Sequence, residues 1–345
     1  MPNSRSSEGL LLLGAEELRS LLPPAACIAA MRDAFGALAR GEVTLPLRQV
    51  SPLPHGRGWL GVMPSSLAHP PLAATKVITV VPSNSGTDLD AHQGFVLLFD
   101  ANDGRCLALL DATTITGLRT AAASAVATDL LARPAAGDLA ILGNGTQAAT
   151  HLDAIAAVRT LRRVRVWGRD SARAESFAKR ERVRRDFDIE VAPDARAAVA
   201  GADIVCTVTS STTPVLDGAW LSPGAHVNAV GACRANHREL NAEAVGRSRI
   251  VVDCLASARE EAGDLLLAVR DGAIANVDIA ATELGDILLG RAAGRPEGRA
   301  GDETITLFKS VGIGVQDLAA AHAVYRAALS SGVGTRLPAI GRRHD

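Results

Sequence analysis

Three cationic side chains stand in apolar surroundings that predict none. They are Arg48 in Leu45-Pro46-Leu47-Arg48-Gln49-Val50, Lys76 in Ala74-Thr75-Lys76-Val77-Ile78, and Arg119 in Thr116-Gly117-Leu118-Arg119-Thr120-Ala121. Cations are seldom buried without a partner. Any one of them can snorkel to solvent or pair with a structural carboxylate. Together they have the chemistry to hold a small carboxylate, each Arg fork gripping two oxygens and the Lys adding a point charge. His92 is a further candidate, for substrate contact or proton relay, set against an ordinary loop histidine.

A second signature lies in Asp138-Leu-Ala-Ile-Leu-Gly-Asn-Gly-Thr-Gln-Ala148. A short apolar run breaks at Gly143, and the spacing Gly143-x-Gly145-x-x-Ala148 precedes a helix-compatible segment. This is the strand–turn–helix pattern of dinucleotide binding, with Ala in the third place. Gly143 permits the tight turn, Gly145 lets a pyrophosphate approach the backbone, and Ala148 lets the helix pack close to the strand. The N–H groups of Asn144, Thr146 and Gln147 are then the anion's partners. NAD-selective folds usually end the second strand in Asp or Glu, bonded to the ribose 2′-OH. Here Val164-Arg-Val-Trp167 runs into Gly168-Arg169-Asp170-Ser171. Gly168, Arg169 and Asp170 belong to the expected cofactor set: Arg169 can pair with a 2′-phosphate, so NADPH is the expected cofactor, with NADH possible. The plainer reading makes Arg169 a solvated residue and Asp170 a helix cap. Thr207, Thr209 and Ser210, closing the fourth strand, are expected near the ribose and nicotinamide, and Thr120 joins the cofactor set.

The elements that must position these groups divide in two. Before Ala135-Ala-Gly137, helices near 15 and over 25–39 precede strand-like runs at 45–50, 59–63, 73–81, 95–100 and 106–111. Those runs are joined by turns without intervening helices, which predicts an antiparallel or mixed sheet. An Ala-rich helix is expected over 116–131. Beyond it, strands at 139–142, 163–167, 188–191, 203–208, 225–230 and 250–253 alternate with helices in the doubly wound manner. A Gly/Arg-rich loop over 290–301 and an amphipathic helix over 319–329 follow, while residues 1–8 are polar and expected to be disordered. The fold class expected is therefore α/β: a Rossmann doubly wound parallel sheet plus a second α+β domain.

Composition narrows the function classes. Across 345 residues the hydrophobic fraction is 48%, aromatics are 3% and the net charge is −1. The core must be built from Ala, Val, Leu and Ile. Neither stacking platforms for single strands nor a basic footprint for nucleic acid or membrane is present. The five cysteines include no C-x-x-C pair, which argues against a zinc site or a disulfide framework. Reduced thiols and the lack of a signal-peptide pattern lead to a cytoplasmic expectation, with no metal.

At its charged residues the chain resembles the ornithine cyclodeaminase/μ-crystallin family, from about Leu45 to Ala320. The segments that carry the likeness include Trp59-Leu-Gly-Val-Met-Pro64, Thr75-Lys76, His92-Gln-Gly-Phe-Val-Leu-Leu-Phe99 and Thr116-Gly-Leu-Arg-Thr-Ala-Ala-Ala123. Others are Pro223-Gly-Ala-His-Val-Asn-Ala-Val-Gly231, Glu261-Ala-Gly-Asp264, Glu283-Leu-Gly-Asp286 and Phe308-Lys-Ser-Val-Gly312. The resemblance implies a homodimer in which residues 1–134 with 316–345 form a substrate-binding and dimerisation domain, and residues 135–315 an NAD(P)-binding Rossmann domain. It also implies that Arg48, Lys76 and Arg119 line the substrate carboxylate. Lys76, Arg119 and His92 are the expected catalytic residues. Lys309 and Ser310 are expected in a cofactor-side loop, with a structural ion pair as the alternative role for Lys309.

Cyclodeaminases and alanine dehydrogenase-like members of that family carry an Asp where this chain has Cys233, in Gly231-Ala232-Cys233-Arg234. Oxidising an amine needs a base to accept its proton, and a carboxylate suits that role. Reducing a preformed cyclic imine does not. A thiol there, lining the substrate as a small packing residue rather than a nucleophile, fits an NAD(P)H-dependent reductase of small cyclic imino acids. Ornithine cyclodeaminase, and a non-catalytic μ-crystallin-like binding protein, are the rival readings.

Overall fold

The computed structural model describes residues 9–84, 87–295 and 302–338. The polar segment 1–8 and part of the Gly/Arg-rich loop, 296–301, lie outside them. The chain gathers into two compact units: residues up to Arg119 with those from Ile313 onward, and Thr120–Gly312. One dividing point falls inside the helix Ala112–Leu131. Pro134 and Gly137, expected to mark the change of domain, follow the end of that helix. It begins four residues earlier than its apolar pattern predicts, because the Asp111 carboxylate accepts the Thr114 N–H at 2.7 Å and caps it.

The first unit is built on a mixed sheet ordered Thr335–Leu337, Leu10–Leu13, Cys106–Asp111, His92–Asp100, Leu72–Val80, Trp59–Leu67, Val43–Thr44, with Gln49–Pro52 also paired to Trp59–Leu67. Leu10–Leu13 runs parallel to Cys106–Asp111 and the other pairs are antiparallel. The run 45–50 is not one strand. Pro46 has no N–H to give a ladder, and residues 45–48, Arg48 among them, link two short strands instead. Side chains alternate across the sheet, so Leu72, Ala74 and Lys76 share one buried face, and Lys76 pairs in register between Met63 and Val96. The helix Gly314–Ser331 packs against Trp59–Leu67, Leu72–Val80 and the helix Pro24–Ala39. Its start comes close because residue 314 is Gly: a Cβ there would lie 2.8 Å from the Pro64 carbonyl oxygen.

The second unit is an eight-stranded parallel sheet ordered Ile189–Val191, Arg163–Trp167, Asp138–Leu142, Ile204–Thr207, His226–Ala229, Ile305–Lys309, Ser248–Val252, Ala281–Glu283. Sequence order reverses between Asp138–Leu142 and Ile204–Thr207, the switch point at which doubly wound sheets take ligands. A buried cluster in this unit consists of Ala, Val, Leu and Ile, as the scarcity of aromatics requires. Lys309 corrects one expectation. It is not in a loop but ends the strand Ile305–Lys309, fully buried, in a run whose terminal charge hides its strand character.

Candidate active site

In the first unit, Lys76 and Arg119 converge on one carboxylate. Lys76 Nζ lies 3.1 and 3.0 Å from Asp317 Oδ1 and Oδ2, and it donates to Thr116 Oγ1 at 3.3 Å. Arg119 donates from Nε to Asp317 Oδ1 at 3.0 Å and from Nη1 to Gln316 Oε1 at 2.7 Å. Lys76, Arg119 and Asp317 are all buried. Thr116 and Arg119 lie three residues apart on one helix, so both face the Lys76 ammonium. Asp317, in the first turn of its helix, is favoured there by the positive end of the helix dipole.

The charges act on one another. Burial pushes the Lys76 ammonium down to about 7; Asp317 opposes the shift, while Arg119 and Arg48 add to it. Burial alone would raise Asp317, but Arg119 and Lys76 outweigh it and hold the carboxyl below the usual range. Arg48, half-buried in its connecting segment, is near enough for its charge to lower both Lys76 and His92. The His92 side chain is exposed at the start of its strand. The protein mass around it and the cations Lys76, Arg119 and Arg48 nevertheless hold the imidazole below its ordinary value, with Asp90 opposing. The sequence singled out all four of these cationic or basic groups. It missed Asp317 and Gln316.

The second unit fits a dinucleotide at the turn the sequence marked. Gly143 adopts φ +130°, and a Cβ on it would meet the Val208 carbonyl oxygen at 2.8 Å. Gly145 faces open space, and as the N-cap of the helix Thr146–Ala156 it has no side chain with which to cap it. Its first-turn N–H groups are therefore presented to an anion. Ala148 is buried, as close packing of helix and strand requires. Gly168 abuts the Asn144 side chain, Arg169 is exposed, and Asp170 caps the helix Ser171–Arg182 by accepting the Arg173 N–H at 3.0 Å. Gln147 gives its carbonyl to His151 Nδ1 at 2.7 Å. Thr120 is buried and Ser210 exposed. Thr207 and Thr209 both donate to the buried Glu239, which sequence reasoning also missed. Cys233 is half-buried against the unit's apolar cluster. His226 is fully buried and bonded to Thr306 and Asn228, a structural role.

The chain is 41% identical over 320 residues to ketimine reductase mu-crystallin of Mus musculus, covering 91% of this chain and 96% of the relative. The structure of Thermococcus litoralis Δ1-pyrroline-2-carboxylate reductase in complex with NADH and L-proline matches with a TM-score of 0.90 at 34% identity, covering 95% of this chain and 100% of that one. An archaeal alanine dehydrogenase dimer with bound NAD matches with a TM-score of 0.86 at 32% identity, covering 95% and 98%. The family model spans residues 11–332. With that span, the glycine turn and the ordered likeness to these relatives, the chain belongs to the ornithine cyclodeaminase/mu-crystallin family.

Proposed function

We propose that the protein is an NADPH-dependent reductase of small cyclic imines bearing a 2-carboxylate, such as Δ1-pyrroline-2-carboxylate or Δ1-piperideine-2-carboxylate, giving L-proline or L-pipecolate. The observation that carries this reading is the buried Lys76–Asp317–Arg119 cluster, in which two cations face one carboxylate. When Lys76 is protonated the cluster holds a surplus positive charge, which an anionic substrate offsets. Arg48, on its connecting segment, adds a third cation. Arg48, Lys76 and Arg119 hold the substrate carboxylate and so fix the neighbouring C=N bond. The bound dinucleotide supplies hydride to the C=N carbon. The nitrogen needs one proton in the same reaction. An iminium brings it from solution, and for a neutral imine we assign its supply to Lys76 or His92. Cys233 supports this direction, since a small thiol there offers no base for amine oxidation.

The test is a spectrophotometric panel of NADPH and NADH against five- and six-membered cyclic imines, with L-ornithine as control. Steady loss of NADPH with an imine supports the proposal. Ammonia released from ornithine would make the protein a cyclodeaminase, and ligand-dependent stabilisation without turnover would make it a binding protein.

The NADPH preference rests on exposed Arg169, in the place where an acid would select NAD. Replacing Arg169 by Ala is expected to weaken NADPH by about 1.5–3 kcal/mol, the value of a charge-assisted bond, and to leave NADH unchanged. Equal affinities in the parent would refute the preference.

A homodimer completes the proposal. The sheet face opposite Lys76 carries Phe95, 48% exposed, beside half-buried Val77 and Leu97. Sedimentation should give twice the 35.7 kDa chain mass, and Phe95→Glu should shift it toward the monomer.

A further inference from the structure

A second group of buried ionisable side chains lies in the Thr120–Gly312 unit. Four donors converge on Glu239: the Thr209 N–H and hydroxyl reach Oε1, each at 2.7 Å, while the Thr207 hydroxyl and Gly231 N–H reach Oε2 at 2.8 and 2.7 Å. Asp264 Oδ1 accepts the N–H groups of Glu239 and Leu240 at 2.7 and 2.9 Å, and its Oδ2 lies 2.9 Å from Lys309 Nζ. Lys309 also donates to the carbonyl oxygens of Ala229 and Ala232, at 3.3 and 2.5 Å. All three residues are buried. They tie together the carboxyl ends of three adjacent parallel strands, Ile204–Thr207, His226–Ala229 and Ile305–Lys309. Gly231 makes this possible, because a Cβ there would fall 2.1 Å from the Thr209 carbonyl oxygen and 2.6 Å from Glu239 Oε1.

These strand ends lie on one side of the switch point. The glycine turn at Gly143 touches Val208, the residue between two of Glu239's partners. In doubly wound sheets the two halves of a dinucleotide lie on opposite sides of that point, over the carboxyl ends of the strands. The 2′-selecting segment Gly168-Arg169 belongs to the adenosine side, which leaves the strands braced by Glu239 for the other half.

We propose that Glu239, braced by the Asp264–Lys309 pair, is a positioning residue for the nicotinamide half of the cofactor, setting the backbone at 208–210 and 231–233 that receives it. An acid is needed rather than an amide. A Gln amide would turn its NH₂ toward either the Thr209 or the Gly231 N–H, donor against donor. The proposal rests on the dinucleotide reading and not on the imine substrate.

The test therefore measures binding by calorimetry. The parent and Glu239→Gln are titrated with NADPH and NADH, and with 2′-phospho-ADP-ribose and ADP-ribose, which lack the nicotinamide. Melting temperatures are recorded alongside. The variant is expected to bind the reduced dinucleotides about tenfold more weakly while keeping its affinity for the two fragments within about twofold, a contrast that loss of fold would not produce. Equal weakening of both ligand types, or no weakening, overturns the positioning role. A parent that binds neither type overturns the dinucleotide reading and this proposal with it. If Glu239→Gln does not fold, Thr207→Val, at a fully buried position that no ligand reaches, keeps the carboxylate and deletes one of its hydroxyl donors. The same titrations of that variant then support or overturn the positioning role by the same contrast between dinucleotides and fragments.

Discussion

Burial lowers the Lys76 ammonium to about 7, and Asp317 opposes that shift from 3.0 Å away. The two substitutions at this pair are not equivalent. Removing Asp317 leaves two cations buried against each other, which typically costs about 3–5 kcal/mol. Removing Lys76 leaves the Arg119–Asp317 pair intact and takes away a charge that burial disfavours. We expect Lys76→Met to keep or raise the melting temperature and to weaken substrate binding by about 1.5–3 kcal/mol, read as a rise in KM. A variant that melts lower and turns over normally would contradict both statements. At this scale the sequence was informative about cations and silent about their partner. Lys76 and Arg119 stood out because a charge in an apolar run breaks the pattern. Asp317 did not, because an acid in the first turn of a helix is ordinary, and its partners lie 241 and 198 residues away.

The glycine turn separates two roles that spacing alone merges. Gly143 holds a left-handed φ and has backbone against it, whereas Gly145 has extended geometry and nothing within 4 Å. Gly145→Ala should fold with a loss of no more than about 1 kcal/mol, the scale of a helix-cap change, yet lose dinucleotide affinity because its methyl fills the approach to the backbone. Gly143→Ala should lose both stability and affinity. Melting curves with and without NADPH distinguish the two. The alternating strands and helices of the parallel unit were legible because buried parallel strands read as apolar runs bounded by turn residues. The cap at Asp170 was legible as the plainer of two readings, beside its place in the expected cofactor set. The strands Leu10–Leu13 and Ile305–Lys309 were not, since one is very short and the other ends in a buried charge. Glu239 lay in an irregular segment with no periodic signal to mark it.

Across the molecule, two fully buried histidines make the largest histidine contributions to the response to acid. Burial lowers His226 to about 3 and His151 to about 4, from 6.5. Below about 6.5 the unfolded chain takes up a proton at each site that the folded chain refuses, so stability falls as pH drops toward the folded values. Above 6.5 neither site contributes. The slope is about 1.4 kcal/mol per pH unit for each histidine. Melting temperature should therefore decline between pH 6.5 and 4.5, and a His151→Gln variant should show a shallower decline.

The placement of Asp317 bears also on the order in which a nascent chain matures. Lys76 and Arg119 leave the ribosome first, then the whole of Thr120–Gly312, and only afterwards the helix that bears their counter-ion. Throughout synthesis of that insert, the earlier segment lacks both the aspartate and the helix that covers its sheet. The inserted unit can thus condense as a contiguous stretch, while the lobe begun earliest is the last to close.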